Sequence, residues 1–355
     1  MFGRKNGEIV RLLITGGAGF IGTNFVRYVL STDPQVRVTV LDAFTYAALG
    51  DNLAYLRERG ELAWGSNAAD AGARLEVVRG SITDPSLVDQ LVAEHDVVVH
   101  LAAESHNDNS LANPRAFVDT NLVGTFHILQ SVLKHNRRLH HVSTDEVYGD
   151  LPLDGKEKFT EESAYNPSSP YSATKAGSDL LVQAWIRSFG VRATISSCSN
   201  NYGPFQHVEK FIPRQITNLI DGVRPRLYGT GANVRDWIHV LDHCSALWLI
   251  LQQGVIGRTY LVGADAERSN LQMVGQILAE FGRAPDDYDL VADRAGHDLR
   301  YAIDASRIKA ELGWRPEFTD LGAGVAQTVA WYRSNEQWWR PAKNETEQAY
   351  LRAGH

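Results

Sequence analysis

The chain has 355 residues, 44% of them hydrophobic and 22% charged, which is typical of a globular protein with one large domain or two unequal ones. Its formal net charge of −7 gives no electrostatic reason to expect nucleic acid or an anionic membrane as a partner. Two cysteines without metal-ligand spacing, and no apolar run near the roughly 20 residues of a membrane span, predict a cytoplasmic protein without a metal.

The first elements predict a dinucleotide site. Residues 12–15 form an apolar strand that runs into the glycine-rich turn Gly16 to Gly22, and apolar residues then recur at helical spacing. Glycines let the backbone approach a pyrophosphate, which the amides at the helix start can bind. A second strand, residues 36–41, ends at Asp42, where a carboxylate can bind both ribose hydroxyls. Because no Arg follows Asp42, NAD is favoured over NADP.

Two more strands continue the alternation. Residues 75–78 form the third strand, and Asp84 before Pro85 is a typical helix start. The fourth strand, residues 97–101, is apolar enough to be buried on both faces and ends in small residues that leave room for a cofactor. His106 follows this strand; it is either a catalytic residue or a hydrogen-bonded loop histidine. The polar stretch 61–72 is predicted to be a surface loop.

A pair of adjacent carboxylates follows the next strand. Pro114 begins a long helix through His135, and strand 139–142 then leads into Ser143-Thr144-Asp145-Glu146-Val147-Tyr148-Gly149. Two carboxylates at the end of a buried strand repel each other and are costly to ionise, so they favour a function over a simple solvated turn.

A tyrosine and a lysine lie on one face of the following helix. Tyr171 and Lys175 are four residues apart in a helix that is predicted to reach Phe189 and stop at Gly190. A nearby ammonium favours the tyrosinate, so we expect Lys175 to lower the pKa of Tyr171 toward working pH, as a general base needs.

From Asn200 onward the alternation of strands and helices loosens. We predict helices at 211–220, 240–251 and 271–281 and strands at 226–228 and 258–262. We predict two domains. Residues 1–200 form a domain that binds NAD and carries the catalytic residues, and residues 201–355 form a domain that mainly binds the substrate. We expect the chain to cross between the two domains in places. Lys210, Arg235 and Arg294 either recognise a diphosphate or form exposed ion pairs. The tryptophans near the end are expected to pack a final helix.

Together these patterns resemble one family. The glycine turn with Tyr171 and Lys175 resembles the extended short-chain dehydrogenase/reductase superfamily, and within it the chain is similar to the dTDP-glucose 4,6-dehydratase family over nearly its whole length. The motifs that carry this similarity are residues 101–106, 143–149, 200–204, 235–237 and 294–298. The resemblance implies an α/β fold with a Rossmann-like doubly wound parallel sheet and a smaller α/β carboxyl-terminal substrate domain.

The resemblance also implies a mechanism. Tyr171, assisted by Lys175 and Thr144, would take the proton of the sugar's 4-hydroxyl while hydride passes to NAD. Glu146 would then take the proton from carbon 5, and a protonated Asp145 would donate to the departing 6-hydroxyl. Return of hydride to carbon 6 completes a 4-keto-6-deoxy sugar. In this mechanism one carboxyl group donates a proton and its neighbour accepts one, which suits two adjacent groups whose pKa values are pushed apart.

Binding residues and assembly follow from the same resemblance. The cofactor would contact Gly16, Gly19, Phe20, Ile21, Gly22, Asp42, Ser81, Ile82, Ala102, Ala103, Ser105, Thr120, Tyr171, Lys175 and Asn201. The substrate, dTDP-glucose, would contact Ser105, Thr144, Asn200, Lys210, Phe211, Tyr228, Arg235, Asn270, Arg294 and Tyr301. A homodimer through the helices that begin near Pro114 and Tyr171 is expected. Ser81, Asn107 and Asn109 depart from the family pattern, and Ser81 replaces an Asp that contacts the adenine.

Two other functions stay open on the residues alone. One is a 4-epimerase or decarboxylase on the same scaffold, against which the Asp145-Glu146 pair argues. The other is a non-catalytic NAD-binding scaffold, against which the intact Tyr171 and Lys175 argue. The sequence leaves the choice between thymine and uracil in the nucleotide open.

Overall fold

A seven-stranded parallel sheet is the centre of the molecule. The computed structural model describes residues 10–48, 52–293 and 298–352. The strand order in the large sheet is β10-β6-β5-β4-β1-β2-β3, and every neighbouring pair is parallel. Its strands are β1 (Val10–Thr15), β2 (Val36–Asp42), β3 (Leu75–Arg79), β4 (Val97–His100), β5 (Arg138–Thr144), β6 (Ala193–Cys198) and β10 (Thr259–Val262). This confirms the predicted doubly wound fold.

Two small sheets and the helices complete the described structure. The order β11-β9-β7 forms one small sheet and β12-β8 the other. Their strands are β7 (Asn200–Tyr202), β8 (Arg226–Tyr228), β9 (Val234–His239), β11 (Glu267–Ser269) and β12 (Asp289–Val291). The helices are α1 (Phe20–Thr32), α2 (Asn52–Glu58), α3 (Pro85–Glu94), α4 (Asn107–Ala112), α5 (Pro114–Phe117), α6 (Thr125–Lys134), α7 (Pro170–Phe189), α8 (Phe211–Ile220), α9 (Val240–Gln253), α10 (Asn270–Glu280), α11 (Ser306–Leu312), α12 (Leu321–Ser334) and α13 (Glu336–Arg352). None of the helices in these ranges is long and apolar enough to cross a membrane.

The glycine turn places the start of α1 against the sheet edge. Gly16 has φ +72°, and a Cβ there would lie 2.6 Å from the backbone nitrogen of Ala102. Only glycine allows both this conformation and this approach of two chain segments. Strand order reverses on either side of β1, which pairs with β2 and with β4. Ligands of open α/β sheets bind at such a reversal, beyond the carboxyl ends of the strands.

Helix α7 has strong signals at both ends. Ser169 caps its start and exchanges hydrogen bonds with Ser172, and Pro170 occupies the first turn. Gly190 ends the helix in the left-handed conformation with φ +69°. These local signals explain why the prediction for this helix is confirmed at both ends.

Two other predictions need correction. The helix expected from Pro114 to His135 is interrupted, because residues 118–124 form a wider π-helical turn between α5 and α6. The stretch 61–72 is not simply a surface loop: it contains a short 3-10 helix at 65–67 and the start of another at 71–74, and Leu62 is buried in the core.

The carboxyl-terminal half contributes a strand to the large sheet and a final helix that packs against earlier parts of the chain. Strand β10 lies at the edge of the large sheet beside β6, although it comes from the second predicted domain. Trp338 and Trp339 are buried, and Trp338 donates a hydrogen bond to Asn52 at 2.8 Å. The tryptophans therefore pack the final helix, as the sequence predicts, and Trp338 also joins it to α2.

Buried histidines give the fold a pH dependence. Among the described residues the pKa of each buried histidine is lowered, with burial as the largest cause, to about 4 for His207 and His239 and about 3 for His243. The others are His95, His100, His140 and His141. Unfolding exposes these rings, so the unfolded chain takes up protons below about pH 6.5 that the folded chain does not.

We therefore expect stability to be full above about pH 6.5 and to fall as the pH is lowered toward 4. Carboxyls whose pKa is raised by burial have the opposite effect; among the described residues they are Glu104, Asp145, Glu161, Asp179, Glu209, Asp236 and Asp242. For Asp179 and Asp236 the raised pKa is about 6, below the ordinary 6.5 of an unfolded histidine, so between pH 7 and pH 5 each stabilises the fold less than a histidine destabilises it. Thermal unfolding at constant ionic strength should show a midpoint at pH 5 that is lower than at pH 7 by about 5 °C or more. An equal or higher midpoint at pH 5 would contradict this prediction.

Candidate active site

The adjacent carboxylates lie in a tight turn at the end of β5. Thr144 caps the 3-10 helix Asp145–Tyr148: its hydroxyl oxygen lies 3.3 Å from the Glu146 amide, from which it accepts a hydrogen bond. The same hydroxyl donates to Asp145 Oδ1 at 3.3 Å. The cap holds the two carboxylates in a fixed relation to the strand end, at the edge of the sheet where ligands bind.

Asp145 is buried and has its acid form favoured. Only 1% of the residue is exposed, and Oδ2 has no hydrogen-bond partner within the described chain. Burial is the largest cause that raises its pKa well above the ordinary value, and the charges of Glu146 and Asp236 act in the same direction. These surroundings favour the protonated form of the carboxyl group, which is the form that can donate a proton.

Glu146 lies where two cavities meet. Its side chain lines both the cavity beside the glycine turn and a second cavity toward the carboxyl-terminal half. Unlike Asp145, it is only partly buried. The neighbours thus have different surroundings, and Glu146 is the one placed to reach a ligand that extends from one cavity into the other.

Tyr171 and Lys175 lie on one face of α7 and both line the first cavity. Lys175 Nζ donates to the Val142 carbonyl at 2.8 Å. The expected lowering of the tyrosine pKa is wrong for the chain by itself. Burial is the largest cause that raises the pKa of Tyr171 well above 10, and the Glu146 charge adds to it, while a hydrogen bond to Thr144 acts in the opposite direction. Lys175 is directed to a backbone carbonyl and does not offset the desolvation of the phenol.

The first cavity has the size and lining of a dinucleotide site. Its volume is about 390 Å³, and every residue predicted to bind cofactor lines it. Asp42 lies at its far end, where the carboxylate accepts hydrogen bonds from the Ala18 amide at 2.9 Å and the Phe44 amide at 2.8 Å. Ser81 Oγ lies 2.8 Å from Thr83 Oγ1 at the same end. Glycine backbone at one end of α1 and a carboxylate after β2 fit the pyrophosphate and ribose of NAD.

The second cavity, of about 230 Å³, collects most of the predicted substrate residues. Those that line it are Ser105, Asn200, Lys210, Phe211, Tyr228, Arg235, Asn270 and Tyr301. Thr144 lines the first cavity instead. Arg294 lies outside the described residues.

Cationic and polar groups converge in the second cavity. Arg235 is buried, with its guanidinium 4.3 Å from the centre of the Tyr301 ring, and it donates to the Asp298 carbonyl at 3.0 Å. Lys210 donates to the Ser105 carbonyl at 3.3 Å, and the side-chain oxygen of Asn200 is buried without a hydrogen-bond partner in the described chain. Such groups can bind an anionic ligand that also offers a hydrogen-bond donor.

Some lining residues had no signal in the sequence. Gln206 and Glu209 line both cavities, yet they follow the loop 200–204 without a motif or periodicity that singles them out. His106 also lines the second cavity; its ring accepts from the Asn109 amide at 3.4 Å and lies 3.7 Å from Glu209. His106 is therefore a hydrogen-bonded histidine that lines this cavity, and a catalytic role for it stays a prediction.

Comparison with known proteins gives consistent matches. The family model described as GDP-mannose 4,6 dehydratase matches residues 13–328. A curated relative from Mycolicibacterium smegmatis, named dTDP-glucose 4,6-dehydratase, is 59% identical over 345 residues, which cover 97% of this chain and 100% of the relative.

Solved structures agree with this relative. The dTDP-glucose 4,6-dehydratase of Streptomyces venezuelae, crystallised with NAD, is 44% identical with a TM-score of 0.85; the match covers 94% of this chain and all of that one. The enzyme of the same name from Bacillus anthracis, also in complex with NAD, is 39% identical with a TM-score of 0.82 and coverage of 94% and 99%.

Proposed function

This chain belongs to the dTDP-glucose 4,6-dehydratases, and we infer that it is a hydro-lyase that converts dTDP-glucose into dTDP-4-keto-6-deoxyglucose. The reaction oxidises carbon 4, removes water across carbons 5 and 6, and reduces carbon 6. The observation that carries this function is the pair of unequal carboxyl groups, with Asp145 buried and Glu146 at the junction of two cavities. An epimerase needs no such pair, since it removes no water.

NAD is the cofactor, and the residues around the first cavity fit it. Gly16 lines this cavity in a turn that packs against the backbone of Ala102 because it lacks a side chain, and the Asp42 carboxylate suits the ribose hydroxyls. Among the residues predicted to contact NAD, Ser81 and Ile82 would lie toward the adenine, and Lys175 toward the nicotinamide ribose. When bound, NAD accepts a hydride from carbon 4 of the sugar and supplies the one added at carbon 6.

Tyr171 removes the proton of the 4-hydroxyl in this proposal. Tyr171 lines the same cavity as Thr144 and Lys175, and Thr144 favours its ionised form. Burial of the phenol makes the neutral form the resting state, so the base becomes effective only when positive charge is added close to it. The positively charged cofactor would supply this charge when bound, in addition to the Lys175 ammonium that lines the same cavity.

Asp145 and Glu146 carry out the elimination. A ketone at carbon 4 acidifies the proton on carbon 5, and Glu146, as the ionised carboxylate, takes it. Asp145, whose acid form is favoured by burial, donates a proton to the departing 6-hydroxyl, which leaves as water. The two groups must differ in protonation at one pH, and their unequal burial provides that difference.

The second cavity binds the nucleotide part of the substrate. Lys210, Arg235 and Arg294 would neutralise the diphosphate, and Tyr228 would lie against the base. Asn200 provides an unused acceptor for a sugar or phosphate hydroxyl. By this assignment residues 1–200 hold cofactor and catalytic groups, and residues 201–355 mainly bind the nucleotide.

The function is tested by incubating the purified protein, with added NAD, with dTDP-glucose and separately with UDP-glucose. Alkali-induced ketone absorbance and product mass are followed. A ketone one water lighter from the dTDP sugar alone supports the proposal and its base preference. An isomer of unchanged mass would mean epimerisation, and absence of any product would contradict the dehydratase.

We further infer that the enzyme is a homodimer through the helices around residues 118–133 and α7. Phe126 and Leu180 are 39% and 54% exposed, and the Phe126 ring packs edge-on against Trp185 at 6.0 Å, so the two helices present one continuous apolar face. Exposed apolar surface of this kind is typical of an interface between chains.

Leu180→Arg should convert the dimer into a monomer at micromolar concentration, because it places a charge in the centre of this face. Light scattering should change from twice the 39.3 kDa chain mass to that mass. Val223→Arg is the matched control, since Val223 is 46% exposed elsewhere on the surface. Equal masses for both variants would contradict the interface.

The buried free thiols of Cys198 and Cys244 support a reducing compartment, and we place the enzyme in the cytoplasm. Fractionation of cells that express the tagged chain tests this: recovery with periplasmic or extracellular markers would contradict it.

A further inference from the structure

A buried carboxylate lies in α7 outside both cavities. Asp179 is four residues after Lys175 and eight after Tyr171, which places all three toward one side of the helix. The residue has no exposed surface. An ionised carboxylate is costly to bury unless it is hydrogen-bonded and paired with a positive charge.

The two oxygens of Asp179 bind the strand that carries the catalytic turn. Oδ2 accepts from Ser143 Oγ at 2.7 Å, and Oδ1 lies 3.0 Å from His141 Nε2. Because a carboxylate only accepts, Nε2 of His141 carries the proton of this bond. Ser143 directly precedes Thr144, so this contact joins the helix of Tyr171 to the turn of Asp145 at its root.

Lys175 completes the connection. Its side chain is buried, and its ammonium donates to the carbonyl of Val142, the residue between the two strand partners of Asp179. Burial is the largest effect on the pKa of Lys175 and lowers it, while the charge of Asp179 is the largest effect in the opposite direction, with Cys198 of β6 adding to it. Lys175 in turn favours the ionised form of Asp179.

The groups that face Asp179 come from each element packed against it. His141 belongs to β5, Tyr148 to the catalytic turn, Tyr165 to the segment before α7, and Lys175 to α7 itself. Tyr165 donates to Oδ2 at 3.3 Å. Of these four, only Lys175 supplies a positive charge to Asp179, since burial lowers the pKa of His141 well below its ordinary value and raises that of both tyrosines.

We propose that Asp179 is a positioning residue for the dehydratase reaction: it is the buried counter-charge that keeps Lys175 an ammonium, and it clamps α7 to the end of β5. This rests on the proposed function, because Lys175 matters through its effect on Tyr171. Without the carboxylate, the ammonium would be buried uncompensated and would lose its proton at lower pH. The tyrosinate would lose the charge that stabilises it.

The test is Asp179→Asn in the full-length enzyme with NAD and dTDP-glucose. The amide has the same shape but carries no charge. Its oxygen can accept from Ser143, and its nitrogen can donate to His141 Nε2 when the imidazole proton moves to Nδ1. The acid side of the kcat profile reports protonation of the base, so we expect it to move to higher pH by about one unit, with product formation at pH 7 about tenfold slower.

Two controls separate charge from packing. Asp242→Asn changes another buried aspartate, which accepts from the amides of Glu317 and Phe318, and should leave the pH profile in place. Ser143→Ala removes one arm of the clamp without a change of charge; it should slow the reaction equally at all pH values. If Asp179→Asn also slows it equally at all pH values, the counter-charge is contradicted. Wild type without turnover would instead contradict the function itself.

A second comparison applies if Asp179→Asn is not recovered in soluble form. The double variant with Lys175→Met removes both charges, so the unpaired ammonium is gone. The double variant should be recovered in soluble form. Its thermal unfolding midpoint should be higher than that of Asp179→Asn in any preparation that yields the single variant. A double variant as insoluble as Asp179→Asn would overturn the pairing of these two residues.

Discussion

Glu146→Gln should stop the reaction after oxidation of carbon 4. The amide is nearly the same size as the carboxylate, so substrate and cofactor should still bind, but it cannot take the proton from carbon 5. Product formation should fall by about 10²–10⁴, the usual contribution of a general base. Absorbance of reduced nicotinamide should rise and persist in the presence of dTDP-glucose. Tyr171 and Lys175 are untouched, so the first step stays possible.

Exchange of the carbon 5 proton with deuterium gives an independent measurement. In wild type, product formed in heavy water should carry deuterium at carbon 5, and recovered sugar from Glu146→Gln should not. Glu161→Gln is the matched control, because Glu161 is similarly shielded but binds the Leu261 amide away from both cavities. Normal product from Glu146→Gln would show that another group removes the proton.

Tyr171→Phe should block the reaction one step earlier. The ring still packs edge-on against Phe117 at 6.3 Å, so the fold should be kept. Without the Tyr171 hydroxyl the proposed base of the first step is missing. The proton of the sugar's 4-hydroxyl is then not removed efficiently, and the rate should fall by about 10²–10⁴. In contrast to Glu146→Gln, no absorbance of reduced nicotinamide should appear with dTDP-glucose.

Tyr260→Phe provides the comparison for this variant. Tyr260 is buried, and its hydroxyl hydrogen-bonds Glu311 at 3.1 Å far from the cavities. We expect its loss to affect stability more than turnover. If Tyr171→Phe reduces NAD at the wild-type rate when substrate is added, then Tyr171 is not the base of the first step.

The features that were readable from the sequence are those set by local geometry. The glycine turn, the capped start of α7 and the four-residue spacing of Tyr171 and Lys175 each depend on a few consecutive residues. Alternation of apolar strands with helices defines the parallel sheet, because each strand is buried on both faces. Asp42 follows from the same logic, since the end of β2 must lie beside the end of β1.

The departures arise where distant segments meet. Strand β10 joins β6 through contacts between residues about 64 positions apart, and no pattern within either segment specifies that partner. The π-helical turn at 118–124 also packs against a segment that is distant in the sequence, helix α7. Gln206 and Glu209 line both cavities from the segment between β7 and α8.

The sequence by itself determined the fold class and the NAD cofactor, and it predicts the acid and base residues, because each depends on residue type and short spacing. Only the tertiary structure decided how these groups are charged. Burial raises the pKa of Asp145 and of Tyr171, and it lowers the pKa of Lys175. Asp179 accepts a hydrogen bond from Ser143, which is 36 residues away in the sequence. Desolvation and charge pairing depend on what surrounds a group in three dimensions, and spacing along the chain does not contain that information.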